Sequence, residues 1–290
     1  SGMLPRTPPR AQPRPTGAAV VTLPSPEPVF HLDAGTFVAT PLARGPWDPC
    51  ACHGGAPAAL LAAAVDAAPA LAPMQGVRLT YDLVRPVPVG VPLDLDVEVV
   101  RQGRRIQVLD VVLTTAADHQ ELVRCRALRV RTTDLALPPD RPAPEGPVTV
   151  APEALDRADG PLGPEHEGFW TAVDVRVVDG ALGDAGPGRG WFRLLAPLTD
   201  GDDLLATPLV RLAAAADFGN GIGAPLAMGP FRYINPDLTL DVHRLPVDEW
   251  VSLSARSVAE PHGIGLTTGV LGDRVGAVGT SLQSLFIDAG

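Results

Sequence analysis

Two stretches of the chain repeat one order of apolar and polar positions. In the first, Pro57 precedes the uncharged run Ala58-Ala59-Leu60-Leu61-Ala62-Ala63-Ala64-Val65, and Asp66 closes it. In the second, Pro208 and Asp217 bracket Leu209-Val210-Arg211-Leu212-Ala213-Ala214-Ala215-Ala216. Both runs predict helices, since proline suits a first turn whose N–H groups lack intrahelical partners. Thr207 is placed to act as N-cap of the second helix. The first is apolar nearly all round, so it is expected to be buried on most sides.

After each helix comes a meander of alternating segments. Leu93, Leu95, Val97 and Val99 alternate with Asp94, Asp96 and Glu98, the period-two pattern of a strand with one wet face. Val251, Leu253 and Ala255 repeat that phase 158 residues later. Turns are expected at Arg101-Gln102-Gly103-Arg104 and Glu260-Pro261-His262-Gly263. The strands that follow start at Ile106 and Ile264, again 158 apart. Further turns are read at Ala117-Asp118-His119-Gln120 and Leu271-Gly272-Asp273-Arg274. Closing strands run from Leu122 to Val130 and from Val275 to Ile287. A fixed offset through several elements points to two diverged copies of one α+β unit. Each copy alone would leave a sheet edge and an apolar face bare, and pairing the copies covers both.

Proline sets the boundaries. Residues 1–29 form a Pro-rich arm expected to be extended and disordered, opening on Ser1-Gly2, which reads as a cloning scar ahead of Met3. A second Pro-rich stretch, Leu137 to Pro147, opens a linker over 137–166. The units are then 30–136 and 167–290. All 23 basic residues are Arg, and the chain is rich in Ala, Gly and Pro, as expected of a GC-rich genome. Enrichment in Ala or Arg therefore says little about function. A net charge of −10 without a basic block disfavours nucleic-acid binding. No apolar run is long enough for a membrane span. Three cysteines make no disulfide framework, and a cytoplasmic location is the simplest reading.

The chain resembles the double-hotdog acyl-CoA thioesterases, the group that includes acyl-CoA thioesterase II. The residues that carry this are Gly45-Pro46-Trp47-Asp48, His53-Gly54-Gly55-Ala56-Pro57, Trp191-Phe192-Arg193, Ala214-Ala215-Ala216-Asp217, Ile234 to Arg244, Asp248-Glu249-Trp250 and Gly279-Thr280-Ser281-Leu282-Gln283. The likeness spans about residues 30 to 288. It implies a tandem hotdog, two long antiparallel sheets each wrapped around a central helix. It also implies hydrolysis of acyl-CoA to fatty acid and coenzyme A. In that family an Asp, a Thr and a Gln of the second half orient and activate a water. These positions fall on Asp217, Asn235 and Gln283, so Asn stands where the family has Thr and lacks its hydroxyl. His53, Gly54 and Gly55 are the substrate-binding candidates. The implied partner is acyl-CoA, with no cofactor, and association into a homo-oligomer is left open.

Other readings stand beside this one. A hotdog protein could bind an acyl thioester or lipid without turning it over. Asp48 and His53 have the spacing used by hotdog enoyl-CoA hydratases, although Pro49-Cys50-Ala51-Cys52 fills it differently. Cys50, Cys52 and His53 lack the second cluster a zinc site needs, and the cysteines read as small buried apolar residues. Arg124, Arg126, Arg129, Arg131 and the pair His243-Arg244 could meet coenzyme A phosphates, though a solvated strand face is the plainer expectation. In the first half Arg129 stands opposite Gln283, so only the second half carries the whole constellation.

Overall fold

The computed structural model describes residues 27–163, 166–200 and 207–289. The arm expected over 1–29 falls almost wholly outside them; Val29, its last residue, is buried and donates its N–H to the Pro197 carbonyl. The first half runs β1 (Phe30–Asp33), β2 (Thr36–Ala39), α1 (Gly55–Ala67), β3 (Met74–Leu83), β4 (Pro92–Arg101), β5 (Ile106–Thr115) and β6 (Glu121–Arg131). The second begins with a turn of helix, α2 (Phe169–Ala172), then β7 (Val173–Asp179) and β8 (Gly188–Leu194). It continues with α3 (Pro208–Ala216), the short α4 (Gly219–Ile222), β9 (Phe231–Ile234), β10 (Asp237–Val242), β11 (Val251–Ala259), β12 (Ile264–Asp273) and β13 (Gly276–Ala289).

The strands join in the order β1-β2-β4-β5-β6-β3-β10-β13-β12-β11-β8-β7, with β9 pairing the end of β13. Read outward from the centre, the two halves have matching orders, β3-β6-β5-β4-β2-β1 and β10-β13-β12-β11-β8-β7. The two copies are paired as the repeat implied, in the tandem hotdog that the resemblance implied. The two antiparallel sheets are hydrogen-bonded to each other at the seam, where Leu79 faces Leu240 and Tyr81 faces Leu238. No half-sheet edge is left bare at the centre, which is where pairing the copies has its effect.

Helices α1 and α3 lie on one face of this sheet. On α1 only Ala64, Asp66 and Ala67 escape full burial, and α3 buries every residue but Pro208 and Arg211. The two pack antiparallel: Gly55 at the start of α1 lies against Ala214 near the end of α3, and Asp66 near the end of α1 takes a hydrogen bond from Thr207 at the start of α3. Small side chains let the backbones come close; a Cβ on Gly55 would sit 2.9 Å from the Ala214 carbonyl oxygen. Thr207 caps α3 as expected, its hydroxyl accepting from the Val210 N–H. Pro208 is the first residue of its helix, whereas Pro57 is the third of α1, because Gly54 rather than a residue beside the proline starts that helix.

One turn moves from its expected place. Leu271 to Asp273 are still in β12, and the chain reverses at Arg274 and Val275. Asp273 makes that turn: its side chain accepts from the N–H groups of Val275 and Gly276 and from Val247, and Arg244 grips both its oxygens. Burial works against the Asp273 charge, yet the Arg244 hydrogen bonds and the backbone donors outweigh it and hold the carboxyl down at about 2. A carboxyl lowered from an ordinary 3.8 stabilises the fold above that value, and the contribution is lost as pH falls through about 2. The thermal midpoint is therefore expected to drop across that window. Asp273→Asn is expected to cost about 3 kcal/mol in denaturant titration at neutral pH and to flatten the acid dependence.

Candidate active site

Asp217 is the C-cap of α3, and its side chain is 4 % exposed. Two amides hold one of its oxygens. Asn235 Nδ2 donates to Oδ1 at 2.8 Å from the link between β9 and β10, and Gln283 Nε2 donates to the same oxygen at 3.2 Å from β13. Gln283 is itself held, its Oε1 accepting from the Asn220 N–H at 3.0 Å. Asn235 also donates to the Asp237 carbonyl and accepts from Asn220 Nδ2 at 3.1 Å. Asp217, Asn235 and Gln283, assigned from separate elements of the sequence, thus form one connected cluster. Asn220 on α4 completes it, and nothing in the sequence singled it out.

The other carboxylate oxygen meets the first half of the chain. His53 Nδ1 lies 3.0 Å from Asp217 Oδ2 and 3.0 Å from the Gly55 nitrogen. The Gly55 N–H donates to Nδ1, so in the neutral ring Nδ1 is an acceptor with the proton on Nε2, and it lies against Asp217 Oδ2 without donating to it. Phe218 at 4.6 Å and Phe169 at 5.4 Å flank the ring. His53 therefore does more than line a channel, as the sequence had it. Gly54 is the point of closest approach: a Cβ there would lie 2.8 Å from Oδ2. Its N–H, at the partly positive start of α1, has no hydrogen-bond partner among the described residues. Gly55 packs against Phe169 and Ala214 and does not reach the cavity.

A cavity of about 430 Å³ opens in front of this cluster. His53, Gly54, Asp217, Asn220 and Asn235 line it, while Gln283 stands behind them and is absent from its wall. The remaining wall is mostly apolar, with Trp47, Trp170, Phe218, Tyr233 and Phe286 among its members. Trp47 and Tyr233 meet edge to face at 5.3 Å. Burial pushes the Tyr233 phenol up to about 12, so it stays neutral. Cys52 also lines the cavity, and burial pushes its thiol up to about 12, which makes it a poor nucleophile. Cys50 is exposed, contrary to the reading of both cysteines as buried, because its turn stands out at the surface.

The arginine candidates go elsewhere. Arg126 pairs with Asp110, Arg124 with Glu121, and Arg244 with Asp273. Arg129 turns inward and donates to the Ala68 carbonyl and to Gln107. Arg85, which the sequence did not mark, does line the cavity, and its Nη1 donates to the Glu121 carbonyl at 2.8 Å. Asp48 accepts from the Cys50 N–H at 2.8 Å, in its own turn, and among the described residues no hydrogen bond or ion pair joins it to His53, as a hydratase reading needs. Among the described residues no cluster of His, Cys, Asp and Glu could hold a metal ion, and no helix is long and apolar enough to cross a membrane.

Residues 43–131 match the acyl-CoA thioesterase N-terminal domain, and residues 147–287 match the acyl-CoA thioesterase C-terminal domain. The chain belongs to the acyl-CoA thioesterase family. Solved structures agree on the fold. A hot dog fold protein from Alicyclobacillus acidocaldarius superposes with a TM-score of 0.64 at 18% identity, covering 90% of this chain and 96% of its own. The acyl-CoA thioesterase II TesB2 of Mycobacterium marinum gives 0.58 at 17% identity, covering 89% and 95%. No curated protein matches the chain in sequence.

The crowding at Gly54 yields a test. A methyl group there would force the Asp217 carboxylate to move, while the backbone angles of Gly54 suit any residue. Gly54→Ala is expected to leave the thermal midpoint nearly unchanged and to lower acyl-CoA hydrolysis, followed as free thiol, by about tenfold or more.

Proposed function

We propose that the chain hydrolyses acyl-CoA to free fatty acid and coenzyme A with a water activated by Asp217, and that Asn235 and Gln283 hold this carboxylate in place. The observation that carries the reading is the state of the carboxylate. An ionised carboxylate has about four lone-pair directions. Asn235 and Gln283 take two on Oδ1, while Oδ2, beside His53, receives no hydrogen bond among the described residues and is left for a water in the cavity that Asp217 lines.

In this reading the water oxygen attacks the thioester carbonyl carbon as Asp217 takes one of its protons. The carbonyl oxygen becomes an oxyanion, for which the unpartnered Gly54 N–H at the start of α1 is the candidate donor. The intermediate collapses, the carbon–sulfur bond breaks, and the thiolate of coenzyme A recovers the proton from Asp217. The aromatic wall of the cavity suits an acyl group and the arm of coenzyme A, and Arg85 at that wall suits a phosphate. The division into a 30–136 unit, a 137–166 linker and a 167–290 unit goes with this reading. So does a reducing cytoplasm, which suits cysteines that are all unpaired.

The competing reading is a hotdog protein that binds acyl-CoA without turning it over. What favours it is Asn235, whose N–H groups are both occupied within the protein. Acyl-CoAs of graded chain length separate the two. Thiol release by the wild type, falling about 1,000-fold or more in Asp217→Asn, is the expected result. Saturable binding with no thiol release at any chain length would establish the binding protein instead.

A further inference from the structure

The hydrogen bonds around Asp217 fix every amide in the cluster, and the chain they form ends on an oxygen without a partner. A carboxylate accepts and never donates, so the ends of Asn235 and Gln283 that face it must be their NH₂ groups. Asn235 Nδ2 then gives one hydrogen to Asp217 and the other to the Asp237 carbonyl. Its Oδ1 must face Asn220, which therefore presents Nδ2, at 3.1 Å. Gln283 Nε2 is committed to Asp217 in the same way, to Oδ1 at 3.2 Å and the main-chain oxygen at 3.4 Å. Asn220 Oδ1 is left with no hydrogen bond among the described residues, on a side chain that lines the cavity beside Asp217.

A water poised to attack needs acceptors for both of its hydrogens, so that a lone pair points at the carbonyl carbon. Asp217 supplies one acceptor. Asn235 and Gln283 have no free N–H to offer the water, and Gln283 is not on the cavity wall. We propose that Asn220 is a further catalytic residue: its Oδ1 accepts the second hydrogen of the attacking water while Asp217 takes the first. The assignment rests on Asp217 as the base. It gives Asn220 two tasks, since its side-chain N–H anchors Asn235 and its main-chain N–H anchors Gln283.

The test uses Asn220→Leu, which removes the carboxamide, keeps the branched arrangement of four side-chain heavy atoms and leaves the main-chain N–H on Gln283. Two quantities are read: kcat for thiol release, and affinity for a non-hydrolysable alkyl thioether of coenzyme A. The expected result is a fall in kcat of about 10- to 100-fold with thioether affinity within about twofold of wild type. An unchanged kcat would overturn the assignment. So would a parallel loss of kcat and thioether affinity, which would mean that Asn220 only shapes the cavity. Asn220→Ala is read by the same criteria if the leucine variant does not fold. Failure of the base is seen separately, as an Asp217→Asn variant that still releases thiol at the wild-type rate.

Discussion

The antiparallel contact of α1 with α3 is the constraint on which the site depends. It places the N-terminal end of a helix from one half against the C-terminal end of a helix from the other. The start of α1 carries partial positive charge, and Asp217 at the end of α3 is the anion that meets it. The contact exists only because the facing residues are small. With a side chain on Gly55 the helices could not approach to the Ala214 carbonyl, and with one on Gly54 the carboxylate could not sit where it does. The run of alanines that looks like compositional bias is therefore also what brings His53 within 3.0 Å of Asp217.

A pseudo-symmetric pair of helices must make two such junctions, and the second shows how the chain distinguishes them. At the far end Asp66 of α1 meets Thr207 of α3. Burial pushes the Asp66 carboxyl up, while the Thr207 hydroxyl and the charge of Arg129 pull it down. Arg129 occupies β6, the counterpart of the β13 strand that carries Gln283, and it is nearly buried. A guanidinium there donates to Ala68 and Gln107 and neutralises its surroundings. An amide in its place, as at Gln283, holds a carboxylate without cancelling its charge. One substitution between the copies separates a carboxylate beside a buried cation from one held by amides.

Much of the fold was legible because it is written in local periodicity. The 158-residue offset that places Ile106 against Ile264 reappears as the starts of β5 and β12. Thr207 caps its helix because capping involves neighbours three residues apart. The errors fall where a long-range partner decides. Asp273 extends β12 past the expected turn because Arg244, 29 residues away, neutralises it. Arg129 faces inward because Gln107 and the Ala68 carbonyl wait for it, not because of its place in the strand. The approach of His53 to Asp217 crosses from one copy to the other, and no spacing within either copy encodes it. Asn220 was missed for a different reason, since its neighbours Gly219 and Gly221 read as a loop, where an asparagine is unremarkable.

Asn235 and Asn220 make sense only together. A threonine where Asn235 stands, which the sequence resemblance leads one to expect, could give its one O–H to the carboxylate and still accept from a water, or turn that O–H elsewhere. The planar amide of Asn235 has no such freedom: one N–H is drawn to Asp217, its geometry then aims the other at the Asp237 carbonyl, and its oxygen is directed away from both. The side chain is a strut that fixes the carboxylate. Its oxygen meets the NH₂ of Asn220, and this contact turns the Asn220 oxygen outward. Exchanging hydroxyl for amide at one position thus moves an acceptor one residue further along the hydrogen-bond chain, onto a side chain that lines the cavity.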